Sequence, residues 1–351
     1  MLPSHLRALH DITACRTGRL GGALYACDQC GAHEYRYHSC RNRHCPKCQE
    51  DRAQQWLQRV RKRLLPCNHY LLTFTIPQQL RSLARAHQRC IYAMLLQQAA
   101  ATVLAFAQHP DWIGGIPAIL AVLHTWSRTL DYHPHAHLVV SAGGLSSDRS
   151  AWILPAHSRF LMPGYALSAV FRARMRAALL KANLAHHVDP SVWTRSWNVH
   201  VQQTGTGEQA SLYLSRYVYR VALSNERLAS FDHRHVTFRY THARTGQSRL
   251  MALPVHHFIT RFLQHVLPRG FAKIRSYGLL SPGHRHDLER ARHLLHLHAA
   301  AQPASSASTN PSECTARDPH LPTAETMTCC HRCWRGQLVL IERFRRARAP
   351  P

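Results

Sequence analysis

The chain has 351 residues, 45 % of them hydrophobic, which is enough for one large core with smaller satellite units. Lys and Arg number 44 against 18 Asp and Glu, a formal net charge of +26. So large an excess repels itself unless a polyanion neutralises it, and nucleic acid is the polyanion that it favours, although an Arg-rich proteome or a ribosome-associated protein would show a similar charge. Apolar runs such as 118–123 are far shorter than the roughly 20 residues of a membrane span, so we expect a soluble intracellular protein.

Residues 1–50 are rich in cysteine and resemble a loop-built module. The chain has 12 cysteines, and most of them fall near its two ends rather than through the middle. Clustering of this kind in an intracellular protein favours metal binding over a disulfide scaffold.

Two C-x2-C pairs, Cys27-Asp-Gln-Cys30 and Cys45-Pro-Lys-Cys48, predict a zinc site. Each turn directs two thiolates to one point, so the two pairs together predict one tetrahedral four-thiolate site in a zinc-ribbon-like module. Such a closed shell is structural, because it leaves no open position for chemistry. Further candidates that would replace one of the four, or help to build a second site, are Cys15, Cys40, His38 and His44. Nearby basic residues that would contact DNA phosphates are Arg41, Arg43 and Lys47.

The middle of the chain alternates predicted strands and helices. A basic amphipathic helix over 49–65 comes first. The segments that follow are a strand at 69–76, a helix at 78–108, strands at 118–126 and 135–142, a helix at 165–185 and a strand at 196–203. This βαββαβ order predicts an α+β fold with a ferredoxin-like antiparallel sheet, whose first and third strands lie at the centre.

The third predicted strand carries alternating histidines. His133, His135 and His137 fall on one face of a strand, where side chains alternate with a period of two. Two imidazoles at i and i+2 chelate one divalent ion, whereas a single buried histidine is more often a hydrogen-bonded core residue. Pro134 makes His133 the weaker candidate. If a hairpin is centred near Leu130 and Asp131, His124 lies opposite His137 and is a candidate third ligand.

A tyrosine pair follows the fourth strand. Tyr213 and Tyr217 are four residues apart on a helix predicted over 208–223, so they share one face. Tyrosines at this spacing are usually core packing. In a basic protein with a histidine metal site, however, a phenolate can attack a phosphodiester to leave a covalent phosphotyrosine and a free 3′ hydroxyl.

The remaining segments complete a four-part organisation. A hairpin is predicted over 234–254, with helices near 255–267 and 287–298. The sequence therefore predicts a zinc-binding module (1–50), a nuclease domain (51–298), a disordered linker rich in Ala, Pro, Ser and Thr (299–326) and a short cysteine-containing tail (327–351).

Four stretches in this order resemble the rolling-circle insertion-sequence transposases with two catalytic tyrosines, members of the wider class of HUH-type single-strand endonucleases. The stretches are 27–49, with Cys45-Pro-Lys-Cys48; 123–144, with His133-Pro-His-Ala-His137; 213–225, with Tyr213-Leu-Ser-Arg-Tyr217; and 262–280, with Pro268-Arg-Gly-Phe271. The resemblance spans roughly 10–285 and implies that His135 and His137 bind the metal and that Tyr213 and Tyr217 are the nucleophiles.

The resemblance also implies cofactors and partners. It implies Mg²⁺ or Mn²⁺ at the histidine pair, single-stranded or hairpin-bearing element ends and target DNA as partners, indirect dependence on host replication, and no membrane. The protein is then expected to be cytoplasmic in a bacterium and nucleoid-associated when bound. A C-x2-C-G turn is expected in the tail, where the chain has Cys330-His-Arg-Cys333-Trp334. Without that Gly and a second clear pair, the sequence does not predict a C-terminal zinc site.

Other functions remain open from the sequence. The same chemistry serves plasmid replication initiators and relaxases, although the N-terminal zinc cluster favours a transposase. A non-catalytic zinc-ribbon DNA-binding regulator would account for the charge and the cysteines, but not for the histidine strand and the tyrosine pair. An inactive remnant of a mobile element is the third alternative.

Overall fold

A computed structural model of the chain describes residues 2–48, 58, 60, 62–157, 161–206, 222–242, 244–301 and 329–345. The chain forms two compact units, Met1–Cys48 with Pro303–Pro351, and Gln49–Gln302. Three predicted features lie wholly or mainly outside the described residues: the tyrosine helix with Tyr213 and Tyr217, the basic helix over 49–65, and the linker over 299–326.

The smaller unit is a three-stranded antiparallel sheet with one helix. The helix is α1 (Pro3–Ala14), and the strands are β1 (Gly22–Cys27), β2 (His33–Tyr37) and β13 (Leu338–Phe344), in the order β13-β1-β2. The C-terminal tail is therefore an edge strand of this unit, where the sequence predicted a separate segment. The N-terminal residues also contain regular structure where the sequence predicted mainly loop, since each strand obtains its hydrogen bonds from a neighbouring strand.

The larger unit is built on a five-stranded sheet in which every neighbouring pair is antiparallel. Its strands are β3 (Asn68–Thr75), β4 (Ala118–Trp126), β5 (Tyr132–Ser141), β8 (Asn198–Thr206) and β12 (Ile274–Gly278), in the order β12-β4-β5-β3-β8. The predicted α+β class with an antiparallel sheet is what the structure has. The first and third predicted strands, β3 and β5, lie side by side, and β12 extends the sheet by a strand that the sequence did not predict. Assignment to the ferredoxin-like family stays a prediction.

One face of this sheet is covered by helices α3 (Gln88–Ala107) and α4 (Gly164–Lys181), preceded by the short α2 (Arg81–Ala86). Alternate strand residues such as Phe74 and Leu138 pack there against helix residues such as Leu95 and Phe171. Among the described residues, α3 is the one helix that is long and apolar enough to cross a membrane. Its Leu95, like Leu96 and Ala99, is fully buried, so burial in the core accounts for the apolar composition of this helix.

On the other face of the sheet, a second group of buried apolar residues packs among the described residues. Helix α6 (Arg285–Ala301) packs there, with Leu288, Ala291 and Leu295 against Leu120 and Val139 of the sheet. The remaining elements are β6 (Gly144–Leu145), β7 (Trp152–Ile153), β9 (Leu228–Phe231), β10 (His235–Thr241), β11 (Ser248–Pro254) and α5 (Val255–Leu263). Strands β10 and β11 pair along the hairpin that the sequence predicted.

A histidine at the start of β3 makes the stability of the larger unit depend on pH. His69 is 1 % exposed, and burial lowers its pKa to about 4 from an ordinary value near 6.5. Between pH 6.5 and about 4, His69 therefore binds a proton in the unfolded chain but not in the folded chain. The free energy of unfolding is not reduced by this group above pH 6.5, and it falls as the pH drops from 6.5 towards 4.

We expect the free energy of unfolding to fall by about 2 kcal/mol less between pH 7 and pH 4.5 in His69→Leu than in the natural chain. Urea unfolding at both pH values measures the difference, and acid effects shared by the two proteins cancel. Parallel pH dependences in the two proteins would contradict the prediction.

Candidate functional site

The predicted histidines occupy the sheet face opposite α3 and α4. On β5, Ala136 and Leu138 point into the helix-covered core, so the alternating His135 and His137 point to the other face. They are only 9 % and 7 % exposed. The strand alternation read from the sequence is therefore correct for this pair.

A third histidine joins them from β4. His124 is 3 % exposed and lies directly opposite His135, while Val122 lies opposite His137. The sequence placed His124 opposite His137, which is wrong by two residues, because the hairpin turn is centred near Thr129, with Trp126 opposite Tyr132, and not near Leu130 and Asp131. His124 nevertheless lies directly opposite His135 and diagonally from His137, so it remains a candidate ligand.

These three residues form what we call the histidine cluster. Ring centroids of His124 and His137 are 4.7 Å apart, those of His135 and His137 are 4.7 Å apart, and those of His124 and His135 are 5.4 Å apart. One nitrogen from each ring lies within 4.8 Å of the others. Three imidazoles so arranged fit one divalent transition-metal ion, and among the described residues no further His, Cys, Asp or Glu joins this group.

Hydrogen bonds orient two of the rings. Nδ1 of His135 donates to the carbonyl of His133 at 2.7 Å, which leaves its Nε2 lone pair for a metal. Nδ1 of His137 lies 3.0 Å from the Thr73 hydroxyl of β3. Burial lowers the pKa of His135 to about 4 and the pKa of His137 well below its usual value. Both imidazoles are thus neutral at pH 7, the form that binds metal.

His133 lies outside this cluster. Its Nδ1 is 2.6 Å from the Arg81 guanidinium, and the ring centroids of His133 and His135 are 5.2 Å apart. Of the two candidates for third ligand that the sequence left open, the geometry therefore favours His124.

The turn that joins β4 to β5 is fixed by the segment at the end of α5. Leu130 is fully buried with a φ of 64°, and its carbonyl accepts hydrogen bonds from Gln264 at 2.9 Å and His265 at 3.1 Å. Arg261 donates to Thr129 and pairs with Asp131, each at 3.0 Å. These contacts hold the β4–β5 turn against the segment at the end of α5.

An open cleft of about 1020 Å³ lies over the histidine cluster. Its opposite wall is the β10–β11 hairpin, which Arg227 ties to the β4–β5 turn by donating to the carbonyls of Arg239 at 2.9 Å and Arg128 at 2.7 Å. Of the described residues that line the cleft, three are arginines and none is a carboxylate: Arg128, Arg227 and Arg239. The cleft is therefore positively charged and suits a phosphate backbone.

Sequence reasoning missed the residues that support the histidines. Thr73 is signalled only weakly, as a polar residue in the apolar strand 69–76. Arg128, Arg239 and Asn198 come from three separate segments and meet only through folding. The proposed nucleophiles Tyr213 and Tyr217 lie outside the described residues, so their position relative to the cleft stays a prediction.

Eight of the described cysteines form two clusters, where the sequence predicted one site. Cys45 and Cys48 lie with Cys15 and Cys40, which we call the N-terminal cysteine cluster. The Sγ of Cys48 is 3.5 Å from that of Cys15 and 3.6 Å from that of Cys40.

The other predicted pair, Cys27 and Cys30, lies with Cys330 and Cys333 of the tail, which we call the joint cysteine cluster. The prediction that the two N-terminal pairs share one ion is therefore wrong in its pairing. A C-x2-C turn fixes only its own two sulfurs, and the folding of the rest of the unit decides which sulfurs face them. His38 and His44 belong to neither cluster.

Comparisons with known proteins match two parts of the chain to transposase families. Residues 1–76 match the family described as transposase zinc-binding domain, and residues 118–287 match the family described as putative transposase. The chain is 35 % identical to "Putative transposase y4qJ" of Sinorhizobium fredii over 98 % of this chain and 91 % of that protein. It is 29 % identical to "Transposase for insertion sequence element IS801" of Pseudomonas savastanoi pv. phaseolicola, over 76 % of this chain and 68 % of that protein. No solved structure matches the chain.

A zinc-binding N-terminal domain followed by this sheet and cleft defines the class: a DNA transposase with structural zinc. Within that class the chain belongs to the IS91/IS801 family of insertion-sequence transposases. The resemblance seen in the sequence motifs is confirmed at the level of the family. Membership implies cleavage and transfer of DNA strands, with DNA as the partner.

Proposed function

We propose that this transposase nicks and rejoins single-stranded DNA at the ends of its insertion sequence through a covalent phosphotyrosine, and so drives rolling-circle transposition. The observation that carries the proposal is the histidine cluster of His124, His135 and His137 at the base of an arginine-lined cleft. We also propose that the protein is cytoplasmic and associated with the nucleoid when bound, because a net charge of +26 favours binding to the phosphate backbone of DNA.

The donor set of the cluster fits a divalent cation. Its three buried imidazoles, of which those of His135 and His137 are neutral at pH 7, face an open cleft, and an accessible coordination position is the requirement for a catalytic rather than a purely structural site. Bound Mg²⁺ or Mn²⁺ would polarise the scissile phosphate and offset its negative charge. Three imidazoles suit Mn²⁺ better than Mg²⁺, which prefers oxygen ligands.

The protein's own residues have separate roles in the proposed reaction. Arg128 and Arg239 hold the phosphates that flank the cleavage point, with Arg227 fixing the cleft wall. The hydroxyl of Tyr213 or Tyr217 loses its proton and its oxygen attacks phosphorus. The bond from phosphorus to the 3′ oxygen breaks, and that oxygen takes up a proton. The phosphotyrosine conserves the phosphodiester, so attack by another 3′ hydroxyl rejoins the strand and releases the tyrosine.

Two tyrosines on one helix face permit two strands to be held at once. One strand end is attached to the first tyrosine while the second serves the target or the returning end, and the freed 3′ hydroxyl primes synthesis by the host polymerase. The zinc-binding unit grips the folded DNA end through its basic surface, which includes Arg41 and Lys47.

Cleavage of labelled single-stranded oligonucleotides from the element's own ends tests this proposal. With Mn²⁺ or Mg²⁺ we expect nicking and a covalent protein–DNA adduct that survives denaturation, and with EDTA we expect neither. Tyr213→Phe combined with Tyr217→Phe should reduce the adduct by at least about 10³-fold, because the nucleophile is lost.

Tyr219→Phe is the matched control, since Tyr219 lies on the same predicted helix but on another face. It should keep both nicking and the adduct. Tight DNA binding without any adduct in the natural chain would overturn the proposal and leave a non-catalytic DNA-binding regulator or an inactive copy. Adduct formation by the double variant would show that the nucleophile is a residue other than Tyr213 and Tyr217.

A further inference from the structure

Both ends of the chain contribute to the joint cysteine cluster. Strand β1 ends at Cys27, and the turn to Gly31 follows it; in the tail, the turn from Cys330 to Trp334 precedes β13. Because β1 and β13 pair with Cys27 opposite Leu338, the two turns lie side by side. Antiparallel pairing thus brings together two thiol pairs that are 300 residues apart in sequence.

The two turns have the same backbone conformation. The amide of Gly31 donates to the carbonyl of Cys27 at 3.0 Å, and the amide of Trp334 donates to that of Cys330 at 2.9 Å. Gly31 has a φ of 66° and Trp334 a φ of 56°. Trp334 therefore occupies the left-handed position in which the sequence lacks the expected glycine, and the tail makes a complete metal-binding turn without it.

The sulfur positions fit a tetrahedral zinc ion. The Sγ atoms of Cys27 and Cys333 are 3.7 Å apart, as are those of Cys30 and Cys330, and all four lie within 4.8 Å of one another. Zn–S bonds of about 2.3 Å place the sulfurs of a tetrahedral site about 3.8 Å apart, whereas a disulfide needs about 2.05 Å. Four thiolates this close repel one another unless a cation lies between them.

Backbone groups around the joint cysteine cluster donate hydrogen bonds to its sulfurs and hold the tail in place. The amide of Gly336 donates to Sγ of Cys333 at 3.3 Å, and the amide of Gln29 donates to Sγ of Cys27 at 3.4 Å. The side chain of Asp28 accepts from the Gln337 amide at 2.8 Å. A Cβ atom at Gly336 would overlap Sγ of Cys27, so only glycine permits the tail to approach this closely.

The N-terminal cysteine cluster already has four sulfurs of its own, Cys15, Cys40, Cys45 and Cys48. Residues 1–76, which match the zinc-binding domain, therefore hold one complete four-thiolate set and half of another. We propose that the C-terminal tail completes a second zinc site with Cys27 and Cys30, so that each chain binds two zinc ions and the tail is an integral part of the N-terminal domain. This inference does not rest on the proposed nicking reaction.

The zinc content of the purified full-length protein tests the proposal. We expect two thiolate-bound zinc ions per chain in the natural protein and one in Cys330→Ser combined with Cys333→Ser, counted apart from any ion at the histidine cluster, which His137→Ala removes. In the Co²⁺-substituted protein, the thiolate-to-metal charge-transfer absorption should fall by about half in that variant. Cys329→Ser is the matched control, because it changes a neighbouring tail cysteine outside the cluster, and it should keep both ions.

Gly336→Val supplies a test that keeps all eight thiols. Because its side chain would overlap Cys27, we expect one of the two ions to be lost to a competing chelator at least tenfold more readily, with the other unaffected. Two ions in the double serine variant, one ion in the natural protein, or two equally retained ions in Gly336→Val would each overturn the proposal. Loss of both ions from the double serine variant would overturn the independence of the two sites.

Discussion

His137→Ala is expected to lower the affinity for Mn²⁺ by at least about 100-fold and to reduce nicking of single-stranded DNA by about 10³-fold. His137 is 7 % exposed and has its neighbours His124 and His135 at ring distances of 4.7 Å, so its loss leaves two imidazoles, too few to hold a divalent ion tightly. His135→Ala should behave alike. Titration calorimetry with Mn²⁺ measures the affinity, and the oligonucleotide assay measures the rate.

Two further variants identify the third ligand. His124→Ala should also weaken Mn²⁺ binding by tenfold or more, because His124 faces His135 across the strand pair. His133→Ala is the matched control for metal affinity, which should stay within about threefold of that of the natural chain. His133 lies on the same strand but contacts Arg81, and the carbonyl that orients His135 is unchanged by the substitution. If His133→Ala weakened Mn²⁺ binding more than His124→Ala, His133 would be the third ligand instead of His124. Unchanged Mn²⁺ binding in His137→Ala would contradict a metal site at the histidine cluster.

Gly144→Ala is expected to lower the free energy of unfolding of the larger unit by about 2–4 kcal/mol. A Cβ atom on Gly144 would lie 2.7 Å from the carbonyl carbon of Gly115 and 2.8 Å from the amide nitrogen of Ile116, both backbone atoms that cannot rotate away. A Cβ atom on Gly115 would in turn lie 2.8 Å from the carbonyl oxygen of Leu145. Ile116 and Leu145 exchange two backbone hydrogen bonds at this point, so the clash would also break a bridge between two segments.

Urea unfolding followed by tryptophan fluorescence measures this loss of stability. Gly283→Ala is the matched control, because a Cβ atom there meets nothing within 4 Å. It should change the free energy of unfolding by less than about 0.5 kcal/mol. Equal stability of the two variants would contradict the close backbone approach.

The two glycine pairs show how far sequence reasoning reaches. Glycine pairs mark positions where the backbone is free to turn, and Gly114-Gly115 lies between α3 and β4 while Gly143-Gly144 lies where β5 is followed by β6. Their packing against each other joins the start of β4 to the end of β5, and no local pattern carries that information. Local composition marks where the backbone is free to turn, but the partner that approaches it belongs to a distant segment.

The histidine site divides in the same way. Strand periodicity is a local property, so the sequence alone placed His135 and His137 on one face of a buried strand, and the structure confirms that placement. The register of the β4–β5 hairpin depends on where its turn lies, and that turn contacts Gln264 and His265 through Leu130, more than 130 residues further along the chain. The sequence therefore identified His124 as a candidate ligand but could not give the residue that lies opposite it.

By itself, the sequence determined the α+β class, the strand-borne histidine pair, the zinc-binding turns and the transposase family, because each depends on residues close together in the chain. Only the tertiary structure decided which turns share a cluster. Cys27 and Cys30 meet the tail rather than Cys45 and Cys48, since pairing of β1 with β13 is a contact between the two ends of the chain. A C-x2-C turn is recognisable in the sequence because its two cysteines are separated by only two residues. Which second turn shares its metal site depends on long-range strand pairing.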